Sequence, residues 1–422
     1  MYLKLRYCNK VDYNRSINIC GSKSETNRLL IIKKLYKNVY IRLSNTSNSN
    51  DAKLMALSLR TRKNVINVQD AGTVMRFLVA YFSILKDRTV ILTGTERMKK
   101  RPIYHLVKAL NKIGCDIKYM KNIGYPPILI KGKKIYKNKI KINSKISSQY
   151  ISSLILIGPK LKNGLIIKLS GDKISLSYIK LTISILKKLK FNIKFRKNYI
   201  IIKPFKSKSK EKIKYNIESD WSSASYFYSI ISILDRNKKI ILKKYKRNSL
   251  QGDSKILFIY YKYFGIVTKF KNKHKIIIKK KKNFIYPKYF TLDLKSTPDI
   301  AQTIIVTCAL LKIKCLLTGL KTLKIKETDR LIALQNELKK IGVFTIITNN
   351  SIEIIKFKEI KNYNKNIIIN TYKDHRMAMS FSVLAIKNEI FIENPKTVNK
   401  SYPNFWNDLK KIGFNLKMIN NI

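Results

Sequence analysis

The chain has 422 residues, 45% of them hydrophobic, and 88 Lys and Arg against 24 Asp and Glu give a formal charge of +64. A chain of this length exceeds the size at which one hydrophobic core usually keeps growing, so we expect two domains. The lysines are spread through nearly every segment instead of forming a stripe or tail. This argues against a specific nucleic-acid interface and indicates compositional drift.

Cysteine and histidine usage and the apolar pattern exclude further classes of protein. The five cysteines are odd in number and form no CxxC pair, which predicts neither a disulfide framework nor a zinc site. Three histidines are too few for a histidine-based metal cluster. The first residues, MYLKLRYCNKVDY, lack the apolar core of a signal peptide, and no apolar run approaches about 18 residues. We therefore expect a cytoplasmic protein without a membrane span.

Two kinds of predicted helix alternate along the chain. Helices that are apolar nearly all round begin, through small or polar residues, at Gly21, Asp70, Ile146, Glu218, Ser296 and Lys373. Amphipathic helices begin, 74 to 76 residues apart, at Arg101, Leu176, Gln251, Glu327 and Ser401. Each amphipathic helix runs into a short β-like segment: CDIKYM, NIKFR, IVTKF, VFTIIT and NLKMI. All-apolar helices are buried, and their polar starts leave backbone N–H groups that an anion can use.

This recurrence predicts the fold class. We expect an α/β protein with two similar domains, each of three βαβ-rich repeat units with buried helices, the first unit being shorter than the others. An ordinary doubly wound α/β protein with accidental periodicity is the alternative.

Charged residues stand at the helix starts, where apolar helices rarely carry them. On the apolar helices they are Lys23, Arg28, Arg76, Asp220, Asp299, Asp374 and Arg376, and on the amphipathic helices Arg101, Lys326, Arg330 and Lys400. Guanidinium forks match the geometry of phosphate and carboxylate groups. The pattern therefore predicts a site for small polyanions, with more cations than one substrate needs.

Eleven motifs that contain these residues carry a resemblance to a known family. They are, in order, GSKSETNR, DAGTVMRFL, RMKKRPIYHLVKAL, ISSQY, GDKIS, SDWSSASYF, RNSLQGD, STPDIAQT, KETDRL, KDHRMAM and NKSYP. From about Gly21 to Pro403 the chain resembles the 5-enolpyruvylshikimate-3-phosphate synthase family. The resemblance implies transfer of the enolpyruvyl group of phosphoenolpyruvate to the 5-hydroxyl of shikimate 3-phosphate, in the shikimate pathway to chorismate and the aromatic amino acids. It also implies a glyphosate target.

The resemblance implies the family's inside-out barrel domains and their boundaries. The first domain would span residues 20–217, and the second would combine residues 1–19 with residues 218–422. The active site would lie in the cleft between them, closing over the substrates. We expect a monomer that binds small anionic substrates and no specific nucleic acid or membrane. No metal or cofactor is expected, because side chains already supply the cations that a magnesium site would provide.

Site residues carry over from the family motifs position by position. Those implied for shikimate 3-phosphate are Lys23, Ser24, Arg28, Ser147, Ser148, Gln149, Ser175, Asp299 and Lys326. Those implied for phosphoenolpyruvate are Lys23, Gly72, Arg101, Gln149, Arg330, Arg376 and Lys400. As catalytic groups we expect Asp299 to accept the proton of the attacking hydroxyl, Glu327 to give a proton to C3, and Lys23 to assist the departure of phosphate.

Four positions depart from the family's usual residues, and two other functions compete. Asp70, Phe77, Trp221 and Thr322 stand where the family often has asparagine, proline, a small residue and asparagine, which bears on affinity more than on reaction type. One rival is the sister transferase that acts on UDP-N-acetylglucosamine. That family commonly has a reactive cysteine in a first-domain loop, and the loop RMKKRP has none. The other is a non-catalytic basic RNA-binding protein.

Overall fold

The fold consists of two compact units. The computed structural model describes residues 1–8, 16–37, 39–143, 147–171, 176–205, 212–235, 237–272, 274–358 and 367–420. These fall into a middle unit, Ser22–Ile217, and an outer unit, Met1–Gly21 with Glu218–Ile422. Residues 20 and 21, which the sequence placed in the first domain, belong to the outer unit, because the Asp220 amide donates to the Cys20 carbonyl and Gly21 forms a β-bridge with Ser219.

Helices of both predicted kinds are present along the described chain. They are α1 (Lys23–Leu35), α2 (Asn50–Arg60), α3 (Gly72–Ser83), α4 (Glu96–Lys99), α5 (Tyr104–Lys112), α6 (Ser148–Ile157), α7 (Leu176–Lys188), α8 (Trp221–Ile233), α9 (Ile256–Phe264), α10 (Ala301–Leu310), α11 (Arg330–Lys340), α12 (His375–Phe381) and α13 (Phe405–Lys411). No described helix combines the length and apolarity that a bilayer crossing needs.

Short strands connect these helices. They are β1 (Tyr2–Tyr7), β2 (Ser16–Ile17), β3 (Tyr40–Ser44), β4 (Val65–Asn67), β5 (Thr89–Thr93), β6 (Asp116–Tyr119), β7 (Ile128–Lys131), β8 (Lys139–Asn143), β9 (Leu165–Ser170), β10 (Ile193–Arg196), β11 (Tyr199–Ile202), β12 (Lys212–Asn216), β13 (Lys239–Lys243), β14 (Ile266–Lys271), β15 (Lys275–Lys280), β16 (Tyr289–Asp293), β17 (Lys314–Thr318), β18 (Val343–Ile347), β19 (Ile352–Phe357), β20 (Ile367–Ile369), β21 (Ile390–Glu393) and β22 (Phe414–Ile419).

One four-stranded pattern recurs in both units. The orders are β4-β5-β7-β6 and β8-β9-β11-β10 in the middle unit, and β2-β13-β15-β14, β16-β17-β19-β18 and β20-β21-β1-β22 in the outer unit. In each, the first pair is parallel and the following two pairs are antiparallel. The sixth sheet is the parallel pair β12-β3. Six repeats in two units confirm the predicted α/β fold class.

The repeats exchange strands where the chain passes from one unit to the other. Strand β2 precedes α1 but pairs with β13, which follows α8. Strand β12 precedes α8 but pairs with β3, which follows α1. The N-terminal β1 lies between β21 and β22, in the place that a hairpin strand takes in the other sheets. The outer unit is therefore assembled from both ends of the chain.

The helices predicted to be buried are buried. Every residue of α10 and α12 is buried, and in α3 only Thr73 is not. Parallel strands flank α3, α6, α10 and α12 in βαβ units, so these helices have no solvent face that would need polar side chains. Four amphipathic helices begin three to five residues after their predicted starts, whereas α7 begins at Leu176 as predicted. Arg101, Lys326 and Lys400 therefore lie in the approaches to helices.

Candidate active site

Seven charged side chains of the outer unit form one ion-pair network. We call it the α11 cluster, and its members are Asp299, Lys326, Glu327, Arg330, Asp374, Arg376 and Lys400. The family resemblance implied a substrate or catalytic role for all of these residues except Asp374. Residues separated by up to about a hundred positions in the chain thus come together in one place.

Arg330, the first residue of α11, is the hub of the α11 cluster. Its side chain is 2% exposed, and its Nε lies 2.7 Å from Asp374 Oδ2. Its Nη1 lies 3.1 Å from Asp299 Oδ1, and its Nη2 lies 2.9 Å from Glu327 Oε2. Burial acts to lower the pKa of Arg330, but the three carboxylates outweigh it and raise that pKa above its ordinary value. Arg330 is thus a permanent cation held in one orientation.

Asp299 faces three cations and keeps some access to solvent. It lies in the 3₁₀ turn Pro298–Ile300 that leads into α10. Besides Arg330, its carboxylate lies 3.5 Å from Lys326 Nζ and 3.4 Å from Arg376 Nη2. Arg376 Nη1 also donates to the Asp299 carbonyl oxygen at 2.8 Å, which fixes the backbone of the turn. With a side chain 14% exposed, Asp299 can reach a bound molecule.

Glu327 and Lys400 form the other side of the α11 cluster. Glu327 Oε1 lies 3.4 Å from Lys400 Nζ, and the two side chains are 11% and 13% exposed. Asp329 caps α11 by accepting from the amides of Leu331 and Ile332, which separates the loop that carries Glu327 from the helix that carries Arg330. Glu327 and Lys400 are thus an ion pair on a side of the α11 cluster that keeps some access to solvent.

Asp374 has a supporting role that sequence reasoning did not assign. Its side chain is fully buried, accepts from Arg330 and caps α12 through the Arg376 amide at 2.8 Å. In the sequence, Asp374 stands out only as a charged residue on an apolar helix. Its complete burial in the structure shows that this charge must be paired. One carboxylate therefore holds the Arg330 side chain and fixes the start of the helix that carries Arg376.

Asp253 is a second buried acid close to the α11 cluster. It lies in the motif RNSLQGD, for which we predicted no role, and its Oδ2 accepts from the Ser222 hydroxyl. Among the described residues its Oδ1 has no hydrogen-bond partner. Burial, followed by the charge of Asp299, raises the pKa of Asp253 to about 7, although Arg376 acts in the opposite direction. Below that pH, Asp253 is therefore largely protonated and neutral in the folded protein.

This gives the protein a pH-dependent stability that Asp253→Asn should remove. Between about pH 4 and 7 the folded state holds a proton on Asp253 that the unfolded chain releases, so stability falls as pH rises through this window. The difference in unfolding free energy between the asparagine variant and the wild type should therefore be about 1–4 kcal/mol more favourable to the variant at pH 8 than at pH 5. Urea unfolding at both pH values measures this gain, with the exposed Asp235→Asn as control. An equal effect of Asp253→Asn at both pH values would contradict the prediction.

In the middle unit, Lys23 and Ser24 open α1. The Ser22 hydroxyl caps the helix by accepting from the Glu25 amide at 3.4 Å. Lys23 Nζ lies 3.1 Å from Asp51 Oδ2, with side chains 19% and 7% exposed. The Lys23 ammonium is thus held at the positive end of the helix and is still accessible to an anion.

Arg28 is more deeply held by the protein than the sequence suggested. It is buried, and it donates to Thr182 Oγ1 at 2.7 Å, to the Ser24 carbonyl at 2.8 Å and to Ser152 Oγ at 3.2 Å. Burial lowers its pKa to about 10. Its guanidinium carbon lies 5.3 Å from the centroid of the Phe77 ring, so one of the departures from the family pattern supplies a cation–π contact.

Gly72 and Arg101 are in direct contact. A Cβ atom at Gly72 would lie 2.6 Å from Arg101 Nη2. Arg101 is buried and donates from Nη1 to the Asp70 carbonyl at 3.3 Å, while the Asp70 carboxylate accepts from the Thr95 hydroxyl. Glycine at position 72 is therefore what allows the Arg101 guanidinium to lie against the start of α3.

Ser147, Ser148 and Gln149 form the start of α6. Ser147 Oγ accepts from the Gln149 amide at 3.2 Å and so caps the helix. Gln149 Nε2 donates to Thr73 Oγ1 at 3.0 Å, so the starts of α3 and α6 lie side by side. Ser175, which completes the predicted phosphate-binding set, lies outside the described residues.

Trp221 and Thr322, two further positions that differ from the family's usual residues, both lie in described parts of the structure. Trp221 is fully buried, donates from Nε1 to Glu218 Oε1 at 2.8 Å and packs edge-on against Tyr245. Thr322 lies in the 3₁₀ helix Lys321–Ile325, and its hydroxyl is buried without a partner among the described residues. In the described part of the chain, no three His, Cys, Asp or Glu side chains are grouped as metal ligands would be.

Comparison with known proteins identifies the family. The profile of EPSP synthase (3-phosphoshikimate 1-carboxyvinyltransferase) matches residues 57–409. The chain is 40% identical over 407 residues to a 3-phosphoshikimate 1-carboxyvinyltransferase of Bacteroides fragilis strain YCH46, with 96% of each chain covered. It is 35% identical over 439 residues to the enzyme of that name from Buchnera aphidicola subsp. Baizongia pistaciae, covering 94% of this chain and 96% of the relative.

Solved structures agree on the fold. An EPSP synthase from Acinetobacter baumannii superposes with a TM-score of 0.72 at 20% identity, covering 99% of this chain and all of that chain. The enolpyruvyl transferase NikO from Streptomyces tendae superposes with a TM-score of 0.68 at 10% identity, covering 99% and 98%. The profile match and the curated relatives, together with the motifs that predicted them, show that the chain belongs to the EPSP synthase (3-phosphoshikimate 1-carboxyvinyltransferase) family.

Proposed function

We propose that the chain transfers the enolpyruvyl group of phosphoenolpyruvate to the 5-hydroxyl of shikimate 3-phosphate, using the α11 cluster and the helix starts of the middle unit. Family membership supports the reaction, and the α11 cluster supports its chemistry. The observation that carries the proposal is Asp299, a partly accessible carboxylate surrounded by three cations. Such a group can take a proton from a hydroxyl while its neighbours hold anionic substrates.

We propose that the middle unit holds the phosphate of shikimate 3-phosphate at the starts of α1 and α6. Lys23 offers an ammonium there, and Ser24, Ser147 and Ser148 offer hydroxyl groups. Helix N-termini add backbone N–H groups and positive potential. Arg28 acts on this site by tying α1 to Thr182 and Ser152, and Ser175 completes the proposed set.

We propose that phosphoenolpyruvate is clamped by guanidinium and ammonium groups. The cations proposed for this clamp are Lys23, Arg101, Arg330, Arg376 and Lys400. Gly72 would leave room for Arg101, and Gln149 would add its side-chain amide. Arginine forks fit the carboxylate and the phosphate bidentately. The contacts of Arg330 with three carboxylates fix it before any substrate arrives, so little reorganisation is needed during the reaction.

The proposed reaction is an addition followed by an elimination. The 5-hydroxyl oxygen bonds to C2 of phosphoenolpyruvate, Asp299 accepts the hydroxyl proton, and Glu327 gives a proton to C3, which becomes a methyl group. The C2–O bond to phosphate then breaks and a proton returns from C3 to Glu327, which restores the double bond. The proton that Asp299 took from the 5-hydroxyl leaves with the phosphate, so the products are 5-enolpyruvylshikimate 3-phosphate and phosphate. Lys400, 3.4 Å from Glu327, is placed to exchange protons with it, and Lys23 is assigned to the departing phosphate.

We further propose that the protein acts as a monomer in the cytoplasm and needs neither nucleic acid nor a membrane. The spread of lysine through nearly every segment supports the absence of a nucleic-acid partner, since a nucleic-acid interface concentrates its charge. Light scattering on a size-exclusion column measures the oligomeric state, and a filter-binding titration across salt concentrations separates specific RNA binding from generic attraction.

A phosphate-release assay tests the proposed reaction. Phosphate should appear only when shikimate 3-phosphate and phosphoenolpyruvate are both present, and omission of either should abolish it. Mass spectrometry should show 5-enolpyruvylshikimate 3-phosphate in equal amount. Activity with UDP-N-acetylglucosamine in place of shikimate 3-phosphate, or no turnover by folded protein with both substrates, would refute the proposal.

Gly72→Ala should weaken the binding of phosphoenolpyruvate. The new Cβ would lie 2.6 Å from Arg101 Nη2, so the guanidinium must move away from its place against α3. A lost charge-assisted hydrogen bond corresponds to about a 10- to 100-fold higher KM for phosphoenolpyruvate. Steady-state kinetics measures this, with Gly158→Ala at the far end of α6 as control, since its Cβ would meet the Ile202 side chain. An unchanged KM in Gly72→Ala would contradict the assigned role of Arg101.

A further inference from the structure

A buried carboxylate of α11, Glu337, contacts the segment that leads into α12. Its side chain has no exposure to solvent. Its Oε2 accepts from the Asn370 amide at 3.0 Å and from Lys340 Nζ at 2.7 Å, and its Oε1 accepts from the Tyr372 hydroxyl at 2.8 Å. Lys340 Nζ also donates to the Ile368 carbonyl at 2.9 Å. None of these residues belongs to the α11 cluster.

The backbone between these contacts and the α11 cluster is strained. Tyr372 and Lys373 have φ values of 53° and 56°, which side chains other than glycine rarely adopt. The next residue is Asp374, whose amide donates to the Thr371 carbonyl at 2.8 Å. Two successive left-handed residues therefore aim Asp374 and its neighbour Arg376 into the α11 cluster. Such a conformation persists only where surrounding contacts impose it.

Helix α11 holds this segment at two points. Two helical turns separate Arg330 from Glu337 on α11, and both are buried. Arg330 binds Asp374 after the strained pair, and Glu337 binds Asn370 and Tyr372 before and within it. From β21, Glu393 adds a bond to the Thr371 amide at 3.0 Å. A carboxylate that touches no residue assigned to the substrates thus holds the segment that leads to Arg376.

We propose that Glu337 is a positioning residue for the reaction, which maintains the strained turn at Tyr372 and Lys373 and through it the places of Asp374 and Arg376. This inference rests on the proposed function, because it assigns Arg376 and Arg330 to phosphoenolpyruvate. The pKa of Tyr372 is consistent with its close contact with Glu337: burial, and then the Glu337 carboxylate, raise this pKa to about 12.

Glu337→Gln tests the proposal by replacing one accepting oxygen with a donor. We expect the KM for phosphoenolpyruvate to rise about tenfold and kcat to fall, while the KM for shikimate 3-phosphate changes much less. Tyr372→Phe removes only the hydroxyl contact and should shift the same constants in the same direction by a smaller factor. Glu353→Gln is the matched control, because Glu353 also accepts from a tyrosine hydroxyl, that of Tyr289 at 3.2 Å, but on the unrelated strand β19.

Rescue by glycine separates positioning from general stability. Lys373 is exposed, and glycine adopts a φ of 56° without strain, so adding Lys373→Gly to Glu337→Gln should recover much of the lost kcat/KM. If Glu337→Gln does not fold, Tyr372→Phe with and without Lys373→Gly carries the test. Wild-type kinetics in both Glu337→Gln and Tyr372→Phe would overturn the proposal. So would losses that affect both substrates equally and that glycine does not repair. A wild-type protein without phosphate release refutes the proposed function instead.

Discussion

Arg330→Lys is expected to lower kcat/KM for phosphoenolpyruvate by about 10²–10³-fold while the charge at this position is kept. A lysine has one ammonium group at the end of a flexible stem. It cannot bridge Asp374, Asp299 and Glu327 at once, as the arginine does with contacts of 2.7, 3.1 and 2.9 Å. The three carboxylates should then move apart or turn toward the substrate. Steady-state kinetics with the phosphate-release assay measures the loss.

The matched control is Arg88→Lys, which makes the same change at an arginine of the other unit. Arg88 donates to Asn64 Oδ1 and to the Lys63 carbonyl in an exposed position, so its replacement should leave kinetics and stability nearly unchanged. Chemical denaturation should show a folded Arg330→Lys with reduced unfolding free energy, because the variant leaves part of a buried network unpaired. Wild-type kcat/KM in this variant would show that the fork geometry of Arg330 is not needed.

The repeat architecture could be predicted because its signals are local. The buried helices are apolar nearly all round, and the amphipathic helices recur at a constant spacing, so neither depends on knowledge of distant contacts. The starts of four amphipathic helices were placed too early, at Arg101, Gln251, Glu327 and Ser401, because the helical pattern in the sequence continues into the residues before each helix. In the structure, caps such as Asp329 and 3₁₀ turns keep these approaches out of the helix.

The exchange of β2 and β12 could not be predicted from the residues alone. Strand β2 has two residues and pairs with β13, more than two hundred residues further along the chain. Periodicity in so short a segment carries no information about its partner. The resemblance to a family supplied the neighbourhood of the crossover, and the hydrogen bonds of Cys20, Gly21 and Ser219 locate it within a few residues.

Candidate site residues divide by what makes them recognisable. Arg330, Asp299 and Arg376 stand out in the sequence because they are charged residues at helix starts inside family motifs. Glu337 does not, because a glutamate on an amphipathic helix usually faces solvent. Its burial and its bonds to Asn370 and Tyr372 depend on a strained backbone turn, which no local pattern in the sequence reveals.

Asp299→Asn should lower kcat by about 10²–10⁴-fold, the range that a positioned general base contributes. The asparagine keeps the shape of the side chain and can still accept from Arg330, but it cannot take a proton from the attacking hydroxyl. Removal of a negative charge beside Arg330, Arg376 and Lys326 leaves these cations more available to anions. The KM for phosphoenolpyruvate should therefore stay the same or fall, so that kcat and KM separate.

A fall in kcat without a rise in KM distinguishes a general base from a residue that only binds substrate or only supports the structure of the site. A binding residue would raise KM, and a supporting residue would disturb both constants and lower stability. Asp293→Asn provides the control: Asp293 ends β16, six residues before Asp299, and its exposed carboxylate accepts from the Lys295 amide at 2.8 Å. If Asp299→Asn turned over within about threefold of the wild-type kcat, then the proton of the 5-hydroxyl would have to go elsewhere. Glu327 would then be the carboxylate of the α11 cluster to test next, because it is the other acid there that is partly accessible to solvent.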